Sequence, residues 1–344
     1  MKLISIKPNA FTLIELLVVM LIINILIALL LPAVLSVRET VRRGQCQNNL
    51  SKIVIATKMY EESFGVLPPG TVNTDRPIRN VPIGNHLGWI PRILPFLEQS
   101  ALYNTIDFSK GVYDPANNQG WFSVTPNMFR CPSDYSGTES RHSNYMACHE
   151  GIETSIDIGN RGTFFLNSRL RSKDISDGNS CTVWFGEATI IAAPHWRNEL
   201  PSGAACASLG WMSGTPGTIR NTGQKINAKP FCATWLMPFT ETGQINPAGL
   251  PYKILSNENG TKNNTGAENG VNNSVKTILP DSATLWSTEL PEQFQVGGFN
   301  SFHVGGANHA FGDGNVRMIF ETIDTNLYQK LGHRDDGATV SLDN

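Results

Sequence analysis

FTLIELLVVMLIINILIALLLPAVL, residues 11–35, decides how the rest of the chain must be read. Glu15 is its one charge, and between Leu16 and Leu31 only Asn24 interrupts the apolar run. At a rise of about 1.5 Å per residue, Leu16–Leu35 reaches roughly 30 Å, the thickness of a bilayer's hydrocarbon core. A segment in that solvent must satisfy its own backbone hydrogen bonds, so it is expected to be helical. The residues before it carry only Lys2 and Lys7 as charges, which places the N-terminus on the cytoplasmic side.

Three readings of this segment compete. A secretory signal would be cut after the apolar run, and Val34-x-Ser36 offers small enough residues, but the core is long and an acid stands at its start. A plain anchor accounts for the length and not for Glu15, since a carboxylate entering the bilayer costs several kcal/mol unless it is paired. The third reading accounts for both. Phe11-Thr-Leu-Ile-Glu15-Leu-Leu-Val-Val resembles the cleavage and methylation segment of type IV pilins and pseudopilins. The resemblance implies a cut between Ala10 and Phe11 by a prepilin peptidase, N-methylation of Phe11 by the same enzyme, and assembly through Glu15. There the acid would lie near a neighbouring subunit's new amine, gaining a cationic partner. Ala10 stands where that family usually has Gly.

Outward from the apolar run, the helix is expected to continue to about Ser63, before Gly65 and the breaker Leu67-Pro-Pro-Gly70. Val34, Val37 and Val41, then Leu50, Ile53, Val54, Thr57 and Tyr60, recur at helical spacing, with kinks expected at Pro32 and Gly44. Arg38, Arg42, Arg43 and Lys52 mark the other face as wet, so the second half should pack its stripe on a globular head.

The head begins near residue 64. Of 344 residues only 16% are charged, while Gly and Pro number 31 and 20, a composition of turns and short strands. A net charge of -2, with no basic run and interleaved aromatics, argues against nucleic acid as a partner. Ser143–Ala147, Gly162–Leu166 and Thr182–Phe185 read as strands, and residues 256–275 as an Asn-rich surface loop. The fold class expected is α+β: a leader over 1–10, a long N-terminal helix over 11–63 that spans the membrane over about 13–35, and a mostly antiparallel β extracytoplasmic domain over 64–344.

Further segments, in order, resemble a large bacterial family of pilin-like proteins of unknown function with a C-terminal His-x(9)-Asp-Gly signature. They are Arg42-Arg-Gly-Gln-Cys46-Gln-Asn-Asn-Leu50, Leu94 to Tyr103, Cys131-Pro-Ser-Asp134, Ile175 to Thr182 with Gly186-Glu187, and His303 with Asp313-Gly314. The match covers nearly the whole chain and implies a fold and a processing route, with no activity attached. Because Cys46 and Cys131 both fall in such segments, the resemblance favours a disulfide between them, outside the cytoplasm where such bonds persist. Cys206 with Cys232 is a weaker pairing and Cys148 with Cys181 weaker still; free buried thiols are the alternative for all six.

Motifs for chemistry are sparse. There is no P-loop, no dinucleotide glycine fingerprint, no Gly-x-Ser-x-Gly elbow and no Cys-x-x-Cys pair. His149-Glu150-Gly-Ile-Glu153 starts like a zinc-protease helix but has Glu153 where the second His must stand, and reads as a solvated loop. Asp174 and Asp177 are too few for a calcium site, and Asp177 is the turn residue. Trp89, Trp184, Trp211 and Trp235 read as core rather than as a sugar platform. No enzyme, cofactor or metal is expected.

Asp313-Gly314 reads as a two-residue hairpin turn, which would set His309 opposite Met318 and Phe311 opposite Val316 on one largely apolar face. His309 is then a partly buried core histidine. His303 precedes the strand and is expected to fold back onto the hairpin backbone or Asp313, a structural role for the signature.

The function expected is a pilin-like or pseudopilin-like structural subunit of the bacterial inner membrane. It would cross once, N-terminus in the cytoplasm and head in the periplasm or on a surface filament, in a type IV pilus or type II secretion system. Its partners would be the prepilin peptidase and methyltransferase, other pilin-like subunits and inner-membrane lipid. The alternative is an anchored extracytoplasmic solute- or glycan-binding protein, which calls for a concave, aromatic-lined pocket.

Overall fold

The computed structural model describes residues 13–80, 83–118, 125–134, 142–189, 209–228 and 296–338. Ala10, Phe11, Cys206, Cys232, Trp235 and the Asn-rich stretch 256–275 lie outside the described residues.

One helix, α1, runs from Leu13 to Phe64 with Pro32 inside it. It ends on Gly65, whose φ of +74° and N–H bond to the Glu61 carbonyl (2.7 Å) make the left-handed cap that closes many helices. The Glu61 carboxylate then takes the backbone N–H of Ser172 (2.6 Å) and its hydroxyl, tying the end of the helix to the head.

The two halves of α1 live in different surroundings. From Leu13 to Leu31 its large apolar side chains are exposed all round. From Cys46 onward one stripe is buried: Leu50, Ile53, Val54 and Thr57 are fully covered and Tyr60 nearly so. Val34, Val37 and Val41, expected to belong to the same stripe, are exposed. Their side chains precede the part of the helix that reaches the head.

After short strands β1 (Thr71–Val72) and β2 (Leu87–Gly88), the chain makes short turns of helix at α2 (Trp89–Ile93), α3 (Ser100–Tyr103) and α4 (Pro115–Asn118). Among the described residues five further strands follow: β3 (Tyr145–Glu150), β4 (Val183–Glu187), β5 (Ile219–Asn221), β6 (Gly306–Phe311) and β7 (Val316–Phe320), and then α5 (Thr325–Gly332). They form one sheet in the order β5-β3-β4-β6-β7. All neighbours are antiparallel except β3 and β5, so the architecture is α+β with a mostly antiparallel sheet.

Alternation along the strands puts apolar side chains on both faces of the sheet. Tyr145 and Ala147 of β3, Phe185 of β4 and Ala310 of β6 join the buried stripe of α1, with Trp89, Phe129, Trp184 and Trp211 completing that layer. Met146, Cys148, Phe311 and Ile319 point to the other face, where Tyr328 and Leu331 of α5 cover them. The three tryptophans within the described residues are thus core, and Trp89 Nε1 donates to the Thr218 carbonyl (3.0 Å).

Three local expectations are corrected. Residues 162–166 form no strand; Gly162 and Phe164 donate to the His149 and Cys148 carbonyls (2.8 and 3.0 Å) as an irregular flank. His149-Glu150 is not a solvated loop but the buried end of β3.

The third correction is the β6–β7 register, in which His309 faces Arg317, Ala310 faces Val316 and Ala307 faces Ile319. The turn holds Gly312, Asp313 and Gly314, with Gly314 N–H donating to Phe311 O (3.0 Å) and Phe311 N–H to Asn315 O (2.9 Å). Of those turn residues only Gly314 takes positive φ (+98°), so the loop is a turn followed by a left-handed glycine rather than a two-residue reversal. The added residue slips the register by one and turns each side chain of β7 to the opposite face.

Candidate functional site: the junction of helix and head

The signature histidine points to α1. His303 Nδ1 lies 2.6 Å from Glu39 Oε1, on the turn of helix just before the buried stripe. Its other nitrogen, Nε2, lies 3.5 Å from Glu187 Oε1 on β4 and 3.5 Å from Cys131 Sγ. His303 does not fold back on the hairpin. Asp313 sits at the far end of β6, roughly 20 Å away by strand rise, where its exposed carboxylate accepts from Asn315 N–H (2.8 Å). The two ends of the signature therefore do separate work: Asp313-Gly314 shapes the turn, and His303 joins helix to sheet.

Each partner is held in place. Glu39 also takes the Arg42 guanidinium (2.7 Å) and faces the Ser133 hydroxyl (3.3 Å). Glu187 accepts from Ser301 Oγ (2.8 Å), Asn308 N–H (3.0 Å) and Asn308 Nδ2 (3.0 Å). Gln47 Nε2 donates to Asn308 Oδ1 (3.0 Å), and Asn49 Nδ2 to the Tyr145 hydroxyl (3.2 Å), so the polar edge of α1 threads directly into the sheet.

Burial opposes charge here and loses. Burial would raise the Glu187 carboxyl, but His303 and Asn308 outweigh it and hold it below the ordinary glutamate value. Burial likewise opposes Glu39, whose carboxyl His303 and Arg42 bring down. For His303 burial works toward the neutral ring, and the two glutamates raise it above the usual imidazole value. The His303 ring thus sits between two carboxylates, one on the helix and one on the sheet.

Beside it, Cys46 of α1 and Cys131 are joined by a disulfide with their Cα atoms 5.5 Å apart. Residues around Cys131 are fixed by Asn144, which accepts from Cys131 N–H (2.9 Å) and donates to Asp134 Oδ2 (2.6 Å), while His142 meets the same oxygen at 2.9 Å. Cys148 and Cys181 are free thiols and do not pair. Burial raises the Cys148 thiol far above its ordinary value and disfavours the thiolate.

The remaining candidates resolve into structure. His309 is fully buried, with Nδ1 2.9 Å from Ala307 O and Nε2 2.8 Å from the Tyr328 hydroxyl. Glu150 takes the N–H of Gly151 (2.9 Å) and of Arg161 (2.8 Å) and lies 3.0 Å from His333. Asp177 caps the backbone of Asp336 (2.7 Å) and Gly337 (2.9 Å), and Asp174 closes a capping box with Arg171. Glu15 stands in the first turn of α1. Among the described residues, a pocket lined by Thr189, Arg220, Gln224, Lys225, Phe299 and Asn300 has Phe299 as its aromatic wall.

Glu39 and Glu187 were not singled out from sequence. Glu187 had a faint signal, as the acid of Gly186-Glu187 in a buried strand; Glu39, among arginines on a helix, looks like any solvated charge.

Comparison with known families gives two matches. Residues 7–31 match the prokaryotic N-terminal methylation motif, and residues 35–326 match the family described as "Protein of unknown function (DUF1559)". No curated protein and no solved structure matches. The first match covers the apolar half of α1, and the second spans the junction from Glu39 to His303 and the hairpin beyond it. The chain thus belongs to the DUF1559 family and is a pilin-like protein, with a prepilin-type methylation segment ahead of a C-terminal domain of unknown function.

Proposed function

We propose that this chain is a structural subunit of a pilin-like filament or secretion pseudopilus. A prepilin peptidase removes residues 1–10, cutting between Ala10 and Phe11, and the new Phe11 amine is methylated. The remaining chain is a single-pass protein of the inner membrane with its head, residues 64–344, on the periplasmic side. It then packs with other pilin-like subunits through the apolar half of α1. The observation that carries this reading is the division of α1. Leu13–Leu31 is exposed on all sides and long enough to cross a bilayer, while the helix from Glu39 onward is fastened to the head by core, disulfide and the Glu39–His303 pair. A helix built only to anchor would not need such a rigid continuation. Packing in a bundle, with Glu15 beside a neighbour's amine, uses both halves.

The test is N-terminal mass spectrometry on the membrane fraction and on material sheared from the same cells, with imaging of the sheared fraction. A methylated Phe11 in sheared fibres is expected. An intact Met1, or a start at Val37, would overturn the processing route, and a methylated chain confined to membranes would overturn filament assembly.

A further inference from the structure

Four potential metal ligands converge at the junction. Cys46, Cys131, Glu187 and His303 each bring one donor atom to within 4.8 Å of the others, and all four residues are buried. Two sulfurs, an imidazole and a carboxylate are the donor set of a tetrahedral, borderline-soft divalent ion such as zinc. The supporting contacts have the matching form. Glu39 stands behind Nδ1 at 2.6 Å, which turns Nε2 toward Cys131 Sγ and Glu187 Oε1. A carboxylate behind the imidazole is what fixes the tautomer and orientation of a ligating histidine. On Glu187, Oε2 takes Ser301 Oγ and Asn308 N–H, while Oε1, which also accepts from Asn308 Nδ2 (3.0 Å), is the oxygen on the His303 side.

A sulfur in a disulfide is a poor ligand, whereas a thiolate is a strong one. We propose that the junction is a staple with two chemistries: when the Cys46–Cys131 bond is reduced, both thiolates, His303 and Glu187 hold one zinc-class divalent ion. Disulfide and metal exclude each other, and each joins α1 to the head. In the first step a dithiol reductant gives two electrons and two protons, the S–S bond breaks, two thiols form and the reductant closes to its own disulfide. In the second, two sulfur–metal bonds form, and the two thiol protons leave to solvent together with the Nε2 proton of His303 where the ring is charged.

The test uses the full chain in detergent micelles, reduced with a dithiol, desalted under nitrogen and titrated with cobalt(II) as the spectroscopic probe. The reduced chain is expected to bind one cobalt, with thiolate charge-transfer and tetrahedral d–d bands that one equivalent of zinc abolishes; the oxidised chain shows neither band. Cys131→Ser, which leaves one thiolate in the set, weakens the charge-transfer band by about half or more, and Glu187→Gln, which keeps the size of the side chain, binds at least about tenfold more weakly. Circular dichroism follows the fold of each variant, and a reduced chain that loosens is expected to recover its melting transition on adding zinc. The proposal is overturned if the reduced chain gives no tetrahedral band, folded or not. It is equally overturned if Cys131→Ser or the oxidised chain gives the same bands, since Cys148, Cys181, Cys206 or Cys232 would then be the ligands.

Discussion

His149 and His309 are fully covered, and burial brings each ring down to about 4 from the usual imidazole range. Around His149, Glu150 and Asn160 oppose that shift and Arg220 adds to it; around His309, the Ala307 carbonyl and Glu187 oppose it. Both rings are therefore neutral in the folded protein at pH 7. Above about 6.5 the unfolded chain's histidines are neutral too, and the contribution to stability is complete. As pH falls from about 6.5 toward 4 the unfolded chain binds protons the folded chain refuses, and stability drops, by about 1–3 kcal/mol per ring. Denaturant titrations at pH 7 and pH 5 should show this loss, and His309→Gln should show a smaller one. Equal losses in the two proteins would remove His309 from the account. Gly314 supplies a second prediction at this scale. Its φ of +98° closes the β6–β7 turn, and a β-branched residue resists positive φ. Gly314→Val should cost about 1–3 kcal/mol, read as a lower melting temperature.

At the scale of elements, the α1 stripe is the part of the fold most legible in advance. Helical spacing from Leu50 to Tyr60 and the stop at Gly65 needed only local rules, because burial and capping follow from residues close in sequence. The hairpin was legible in place but not in register. Asp-Gly marks a turn, yet whether Gly312 belongs to the loop depends on which residue takes positive φ, and that is settled by pairing along the whole of β6 and β7. The junction was half legible. His303, Cys46 and Cys131 stand in family-like segments, but nothing local says that a helix acid at Glu39 and a strand acid at Glu187 will bracket one imidazole. Contacts across such sequence separations are made by topology, with no trace in spacing. Because the disulfide closes so long a loop, Cys46→Ala with Cys131→Ala should destabilise the oxidised chain by about 2–4 kcal/mol. Ile53→Ala, which opens a cavity in the α1 layer, should cost about 2–5 kcal/mol. Denaturant midpoints decide both, and an unchanged midpoint for Ile53→Ala would mean that α1 does not pack on the head as described.

Among the described residues, the molecule is a head packed on the second half of a helix whose first half has no apolar cover. In the proposed function the bilayer would supply that cover for a single chain and neighbouring helices would supply it in a filament, so moving between the two would cost little in apolar contact. The carboxylate of Glu15 is different, since lipid cannot solvate it and a neighbour's amine can. Exchange from membrane to filament should therefore be driven at Glu15 rather than along the apolar run. Glu15→Ala is expected to leave processing between Ala10 and Phe11 largely intact, because the altered side chain lies beyond the cut. It is expected to reduce incorporation of the variant into sheared fibres by tenfold or more when co-expressed with wild type, a loss of about 1.4 kcal/mol or more in assembly. Quantitative mass spectrometry of the variant and wild-type N-terminal peptides, in membrane and sheared fractions, measures both steps at once. Equal ratios in the two fractions would show that Glu15 does not drive assembly. A variant that accumulates uncut would place Glu15 in recognition by the peptidase instead.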